Sequence, residues 1–138
     1  MRAVMLLTCL AAAATPALRC QAVTLPPIVR AGFEAYKLRG AGAAMTMWMK
    51  DSPITDFADG TKALEQIEVV YGKMVGYEPL EAVAFGTYAS RTYFIILYEK
   101  GPVYVRFDCY MPKDQWIVTA FLFNTKPELI LPTKMMSH

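Results

Sequence analysis

A chain of 138 residues, 55% hydrophobic and 19% charged, has the length of one domain and enough apolar material for a packed core, which excludes a disordered chain. Its formal charge of +2 belongs to the leader: without Arg2 and Arg19 the 14 Lys and Arg become 12, matching the 12 Asp and Glu. A neutral remainder excludes a basic nucleic-acid or anionic-membrane surface.

Met1-Arg2 opens with positive charge, Ala3 to Ala14 is an apolar or small-residue run relieved only by Thr8, and Cys20-Gln21-Ala22 offers small residues at the positions a signal peptidase reads. This order predicts a cleavable signal peptide over residues 1–22 and one domain over residues 23–138, exported to a periplasmic or extracellular compartment. The run is short of the roughly 20 apolar residues a membrane span needs, and no later stretch qualifies. Two other fates of the leader stay open: cleavage after Ala17, disfavoured by Pro16, and lipidation at Cys20, disfavoured by Arg19 directly before it. Cleavage after Ala22 removes Cys9 and Cys20, leaving Cys109 without an intrachain disulfide partner.

After the extended lead at Pro26-Pro27, Phe33, Tyr36, Gly40, Ala44, Met47 and Trp48 fall at helical spacing from Ile28 to Lys50. One long helix is expected, with a weak point at Gly40-Ala41-Gly42 where it bends or splits, since each glycine costs about 1 kcal/mol relative to alanine. Asp51-Ser52-Pro53 stops it. A second helix is expected from an N-cap at Asp59, with Leu64, Ile67, Tyr71 and Met74 as its stripe and Gly76 as its stop.

Beyond Gly76 the period becomes two. Val83 and Phe85 belong to a first strand, Gly86 to Arg91 to a turn, Thr92 to Glu99 to a second strand, Val103 to Met111 to a third and Gln115 to Phe123 to a fourth. The short connections Lys100-Gly101-Pro102 and Pro112-Lys113-Asp114 build an antiparallel meander. Thr125 and Glu128 have capping-box spacing for a last helical turn, and the tail from Thr133 is expected to fray. The fold class is therefore α+β: two N-terminal helices packed on a four-stranded antiparallel meander.

In the third strand Val103, Val105, Phe107 and Cys109 point one way, toward the helices, and Tyr104, Arg106, Asp108 and Tyr110 the other. The second and fourth strands are apolar on both faces, which predicts that something covers the outer face, either a second copy of the chain or a ligand. Cys109 alternates with core residues and reads as a small buried hydrophobe.

His138, the only histidine, is the last residue. That excludes Ser-His, Cys-His and zinc-histidine arrangements; no C-x-x-C, phosphate loop or calcium loop is present, and no cofactor or metal is expected. The methionines Met45, Met47, Met49 and Met74 read as core filler. One constellation remains, the ladder Tyr104-x-Arg106-x-Asp108-x-Tyr110, as a candidate ligand-binding face with Arg106 orienting an anion or polar group and Asp108 accepting a hydrogen bond or proton. The plainer use of the same residues is pairing across the sheet.

Three segments, Ile67-Glu68-Val69-Val70-Tyr71-Gly72-Lys73, the run from Phe94 to Asp108, and Trp116-Ile117-Val118 to Phe123-Asn124-Thr125, look like a group of small, uncharacterised exported bacterial proteins. Their order of helices then meander resembles the cystatin-like, cone-shaped folds related to nuclear transport factor 2, without the extra strand and helix of full members. That resemblance implies the α+β architecture and decides no activity, because such folds serve both enzymes and binding modules. The expected function is an exported non-catalytic module that binds a small ligand or protein partner and self-associates, as a homodimer, through its sheet. The alternative is a small enzyme using carboxylate and tyrosine proton transfer in a cone-shaped pocket, with Asp108 or Glu68 as the base.

Overall fold

The computed structural model describes residues 25–137; the expected signal peptide and His138 lie outside them. Helix α1 (Pro27–Arg39) begins with proline in its first turn, where the missing N–H costs nothing, and ends with Lys37 and Arg39 near its negative pole. Gly40 then adopts φ 87° and ψ −175°, a combination open in practice only to glycine. Its N–H still donates to Tyr36 O at 2.8 Å, and α2 (Ala41–Trp48) restarts on the next residue. The expected long helix is thus two helices broken at the anticipated glycine, giving three helices in all among the described residues.

Helix α3 (Ala58–Tyr71) follows Phe57. Asp59 is not its cap but sits in the first turn, where a negative charge faces the helix's positive end. The helix ends at Gly72, at φ 83°, four residues before the expected stop. Of its fourteen residues only Leu64 is buried, while Val69 and Val70 are exposed.

Strands β1 (Met74–Phe85), β2 (Ala89–Tyr98), β3 (Gly101–Tyr110) and β4 (Ile117–Asn124) form one antiparallel sheet in chain order. β1 is far longer than its expected fragment around Val83 and Phe85. Gly76, Glu78, Pro79 and Glu81 hide it in the sequence, and the sheet tolerates them because β1 is an edge strand whose register shifts beside Gly76 and at Pro79/Glu81. Gly76 is therefore a strand residue and not a helix stop. The turn before β2 is also shorter than expected, so Ala89, Ser90 and Arg91 are paired strand residues.

The core lies between the helices and one face of the sheet. Phe33 and Trp48 from the helices meet Phe94 and Phe107 from β2 and β3, with ring centroids 5.0–5.9 Å apart for most of these pairs. Val103, Val105, Phe107 and Cys109 are buried on this face, as their alternation requires. Helices α1 and α2 touch closely because Gly32 has no side chain: the Trp48 indole occupies that space and donates from Nε1 to Val29 O at 3.0 Å. A loop between α2 and α3 is tied to β4 by Ser52 Oγ donating to Val118 O at 2.6 Å. The rings meet mostly edge to face.

The C-terminal segment forms two short 3-10 turns: Pro127–Leu129 is the expected last helical turn, and Thr133–Met135 lies in the tail expected to fray. Thr125 makes no capping box: the first turn is preceded by Lys126 and has no side-chain cap.

Candidate functional site

The outer face of the sheet carries the ladder. Directly paired residues share a face, and Phe94 packs its ring on Phe33, so Tyr93 and every residue opposite it point away from the helices. The register places Glu81, Tyr93, Arg106 and Leu122 in one row across all four strands. The neighbouring row contains Val83, Arg91, Asp108 and Ala120.

Asp108 is held from across the sheet. Arg91 Nε and Nη2 donate to Oδ1 and Oδ2 at 2.6 and 2.8 Å, a two-pronged pair with both side chains less than a third exposed. These hydrogen bonds to Asp108 hold the Arg91 guanidinium above its ordinary pKa. Arg106 stands on the other side of the same carboxylate, with Nη2 3.5 Å from Oδ2, and makes no hydrogen bond among the described residues. Its Nε is hidden from solvent and has no partner among the described residues. Two guanidinium groups therefore share one carboxylate on a half-buried surface.

Of the four ladder residues, the structure brings Arg106 and Asp108 together and leaves the tyrosines apart. Tyr104, half-buried, lies opposite Ile95 and Asn124; Tyr110, 44% exposed, closes the far end of the strand opposite Ala89 and Ile117. Asp108 thus adopts the plainer role, cross-strand pairing. The partner that sequence reasoning missed is Arg91. Counting the turn as ending at Arg91 removed it from the strand; ending the turn at Tyr88 would have set Arg91 opposite Asp108.

The C-terminal segment reaches from one edge of the sheet to the other. It leaves β4 at Asn124, on one edge, and Lys134 Nζ binds Glu81 Oε1 on β1, the other edge. Three strand spacings are roughly 14 Å, a distance ten residues cover with chain to spare. Tyr93, on the outer face, is only 6% exposed, and Ile130, in that segment, only 8%, yet neither belongs to the helix-side core.

A second polar feature lies on the helix side. Tyr36 and Tyr98 share a hydrogen bond of 2.9 Å between their hydroxyls in the buried core. Burial first, then Tyr98 and the nearby Glu68, raise the Tyr36 pKa, and burial pushes Tyr98 up to about 12. Burial likewise pushes the Cys109 thiol up to about 12.

Surface clefts flank the helices and the β3–β4 turn. The best formed, about 320 Å³, lies among Ile28, Ala31, Asp51, Asp114 and Trp116. None of these clefts is lined by Tyr104, Arg106, Asp108 or Tyr110. Among the described residues there is no group of three or more His, Cys, Asp or Glu arranged for a metal ion, and no helix long and apolar enough to cross a membrane.

No family model, curated protein or solved structure matches the chain.

Proposed function

We propose that this chain is exported and acts as a non-catalytic binding module whose outer sheet face takes an anionic ligand, a carboxylate in the first instance, at Arg106. One observation carries the reading: Arg91 already satisfies Asp108, so Arg106 is left with unused donors and a hidden, unpartnered Nε. A buried polar group without a partner calls for a water, ion or ligand, and a guanidinium's planar fork matches a carboxylate. Export rests on the leader pattern of residues 1–22, and the cone-fold kinship on the order of helices then meander.

The test is a titration of the chain from Val23 to His138 with acetate and glutarate, followed by the Arg106 Nε–H signal in NMR. A saturable shift that Arg106→Gln removes, with the circular dichroism unchanged, supports the reading. A signal that never responds to either acid defeats it.

Self-association through the same face has support of its own. Leu97, Leu122, Tyr110 and Phe85 are 37–55% exposed on that side of the sheet, more apolar surface than scattered single residues require. Sedimentation across a concentration series tests it, and a strict monomer would remove it. The enzymatic alternative has less to stand on: Asp108 is engaged by Arg91, and the helix side is filled by aromatic rings.

A further inference from the structure

We infer that the C-terminal segment is a releasable strap that gates the Arg106 site, so that strap and anionic ligand compete for one row of the sheet. This rests on the reading of Arg106 as the anion-binding group and adds its regulation.

The strap leaves β4 at Asn124, opposite Tyr104, and its anchor Glu81 lies in the row of Tyr93, Arg106 and Leu122, so the straight line between them runs diagonally between Tyr104 and Arg106 on β3. A segment spanning that line passes beside Arg106. The burial pattern agrees: Tyr93 and Arg106 Nε are concealed on the side away from the helices, and Ile130 is buried outside the helix-side core.

The strap is built to lift as a unit. Its backbone hydrogen bonds are internal: Leu129 N–H to Lys126 O, Ile130 and Leu131 N–H to Pro127 O, Met135 N–H to Pro132 O and Met136 N–H to Thr133 O. Among the described residues the one backbone bond to the sheet is Lys126 N–H to Oδ1 of Asn124, at the strap's root, so opening breaks no rung of a ladder. What holds the strap down is one buried side chain, Ile130, the half-buried Pro127, Leu131, Pro132 and Met135, and one ion pair in which Lys134 is 65% exposed. Leu129 and Met136 are themselves exposed, at 62% and 37%. Exposed ion pairs bind weakly and are screened by salt, and segments with few buried contacts open well below the global unfolding free energy. No strap residue belongs to the helix-side core, so its release leaves that core intact.

The strap also brings a cation, Lys134, to a face that already carries one excess guanidinium. A carboxylate arriving at Arg106 gains a hydrogen-bond donor set that the closed strap covers. Opening and binding are therefore coupled: ligand holds the strap open, and a closed strap lowers the apparent affinity by the fraction of time it stays shut.

The experiment compares glutarate affinity in the chain from Val23 to His138, a truncation ending at Thr125, Lys134→Glu, and the charge exchange Glu81→Lys with Lys134→Glu. Expected are at least five-fold tighter binding for the truncation and for Lys134→Glu, faster solvent exchange of Arg106 Nε–H in both, and a return toward the parent values in the charge exchange. If the truncation does not fold, the point variants give the same answer alone. Equal affinity across the series, with Arg106→Gln still abolishing binding, overturns the strap and leaves the Arg106 reading standing. Failure of every variant to bind glutarate overturns the Arg106 reading and the strap's role with it. A truncation that dimerises without binding glutarate more tightly assigns the row to a second copy of the chain and overturns the gating of a ligand.

Discussion

Replacing Gly32 with alanine sets two energies against each other. Inside a helix the exchange removes backbone freedom from the unfolded chain and is worth about 1 kcal/mol of added stability. At this position the new Cβ would stand 1.9 Å from Nε1 and 2.1 Å from Cδ1 of Trp48. The indole is fully buried and ringed by Phe33, Phe107 and Phe121 at 5.1–5.2 Å between centroids, so it has nowhere to go without moving them. Overfilling a packed site costs about 1–3 kcal/mol. The displaced indole also loses its bond to Val29 O, and a buried N–H without a partner costs about 1–3 kcal/mol more. Packing wins: Gly32→Ala destabilises by about 3 kcal/mol, a sizeable share of the 5–15 kcal/mol of a typical domain. Urea unfolding followed by far-ultraviolet circular dichroism measures it without relying on tryptophan emission. The decisive step is the double-mutant cycle with Trp48→Phe, whose smaller ring vacates the space; the cost of Gly32→Ala then falls by at least about 1.5 kcal/mol, a coupling in the range seen for touching residues. A stabilised Gly32→Ala chain, or strict additivity with Trp48→Phe, would refute the packing argument.

Further outcomes concern titration and charge. Burial raises the pKa of Tyr98 from 10.0 to about 12 and that of Tyr36 further still, so both favour the neutral form in the folded state. Their contribution, about 2–3 kcal/mol for Tyr98 alone, is complete below pH 10 and lost as pH rises through 12. Removing both hydroxyls in a Tyr36→Phe and Tyr98→Phe double variant costs little near neutrality, while either single change orphans the other hydroxyl and costs about 1–2 kcal/mol; urea melts from pH 8 to pH 12 show the double variant losing less stability with pH than the parent. The Cys109 thiol, buried and pushed up to about 12, stays inert to a thiol reagent at pH 8 in the folded chain and reacts at once in denaturant, so prompt reaction of the folded protein would place it elsewhere. Asp108→Asn leaves Arg91 and Arg106 facing each other without a shared anion and lowers stability by about 1–3 kcal/mol, with partial recovery in high salt; a thermal melt indistinguishable from the parent would mean the pair is only a surface contact.

What the sequence determined by itself is whatever depends on near neighbours in the chain. The alternation of Val103, Val105, Phe107 and Cys109 against Tyr104, Arg106, Asp108 and Tyr110 gave both faces of β3, because a pleat turns over at every residue. The glycine at position 40 marked the break between α1 and α2, since its backbone angles are a property of that residue. Local rules failed where tertiary context overrode them. β1 was obscured by Gly76 and Pro79, residues unfavourable to strands in general and acceptable only at a sheet edge. Helix α3 ended at Gly72, whose φ of 83° suits glycine, while Gly76 was taken into β1. The tertiary structure alone decided which side chains meet across strands: Arg91 reaches Asp108 through a register set by turn lengths, and Lys134 reaches Glu81 because the tail returns to the opposite edge of the sheet. Periodicity tells which way a residue points, and only the assembled sheet tells what it finds there.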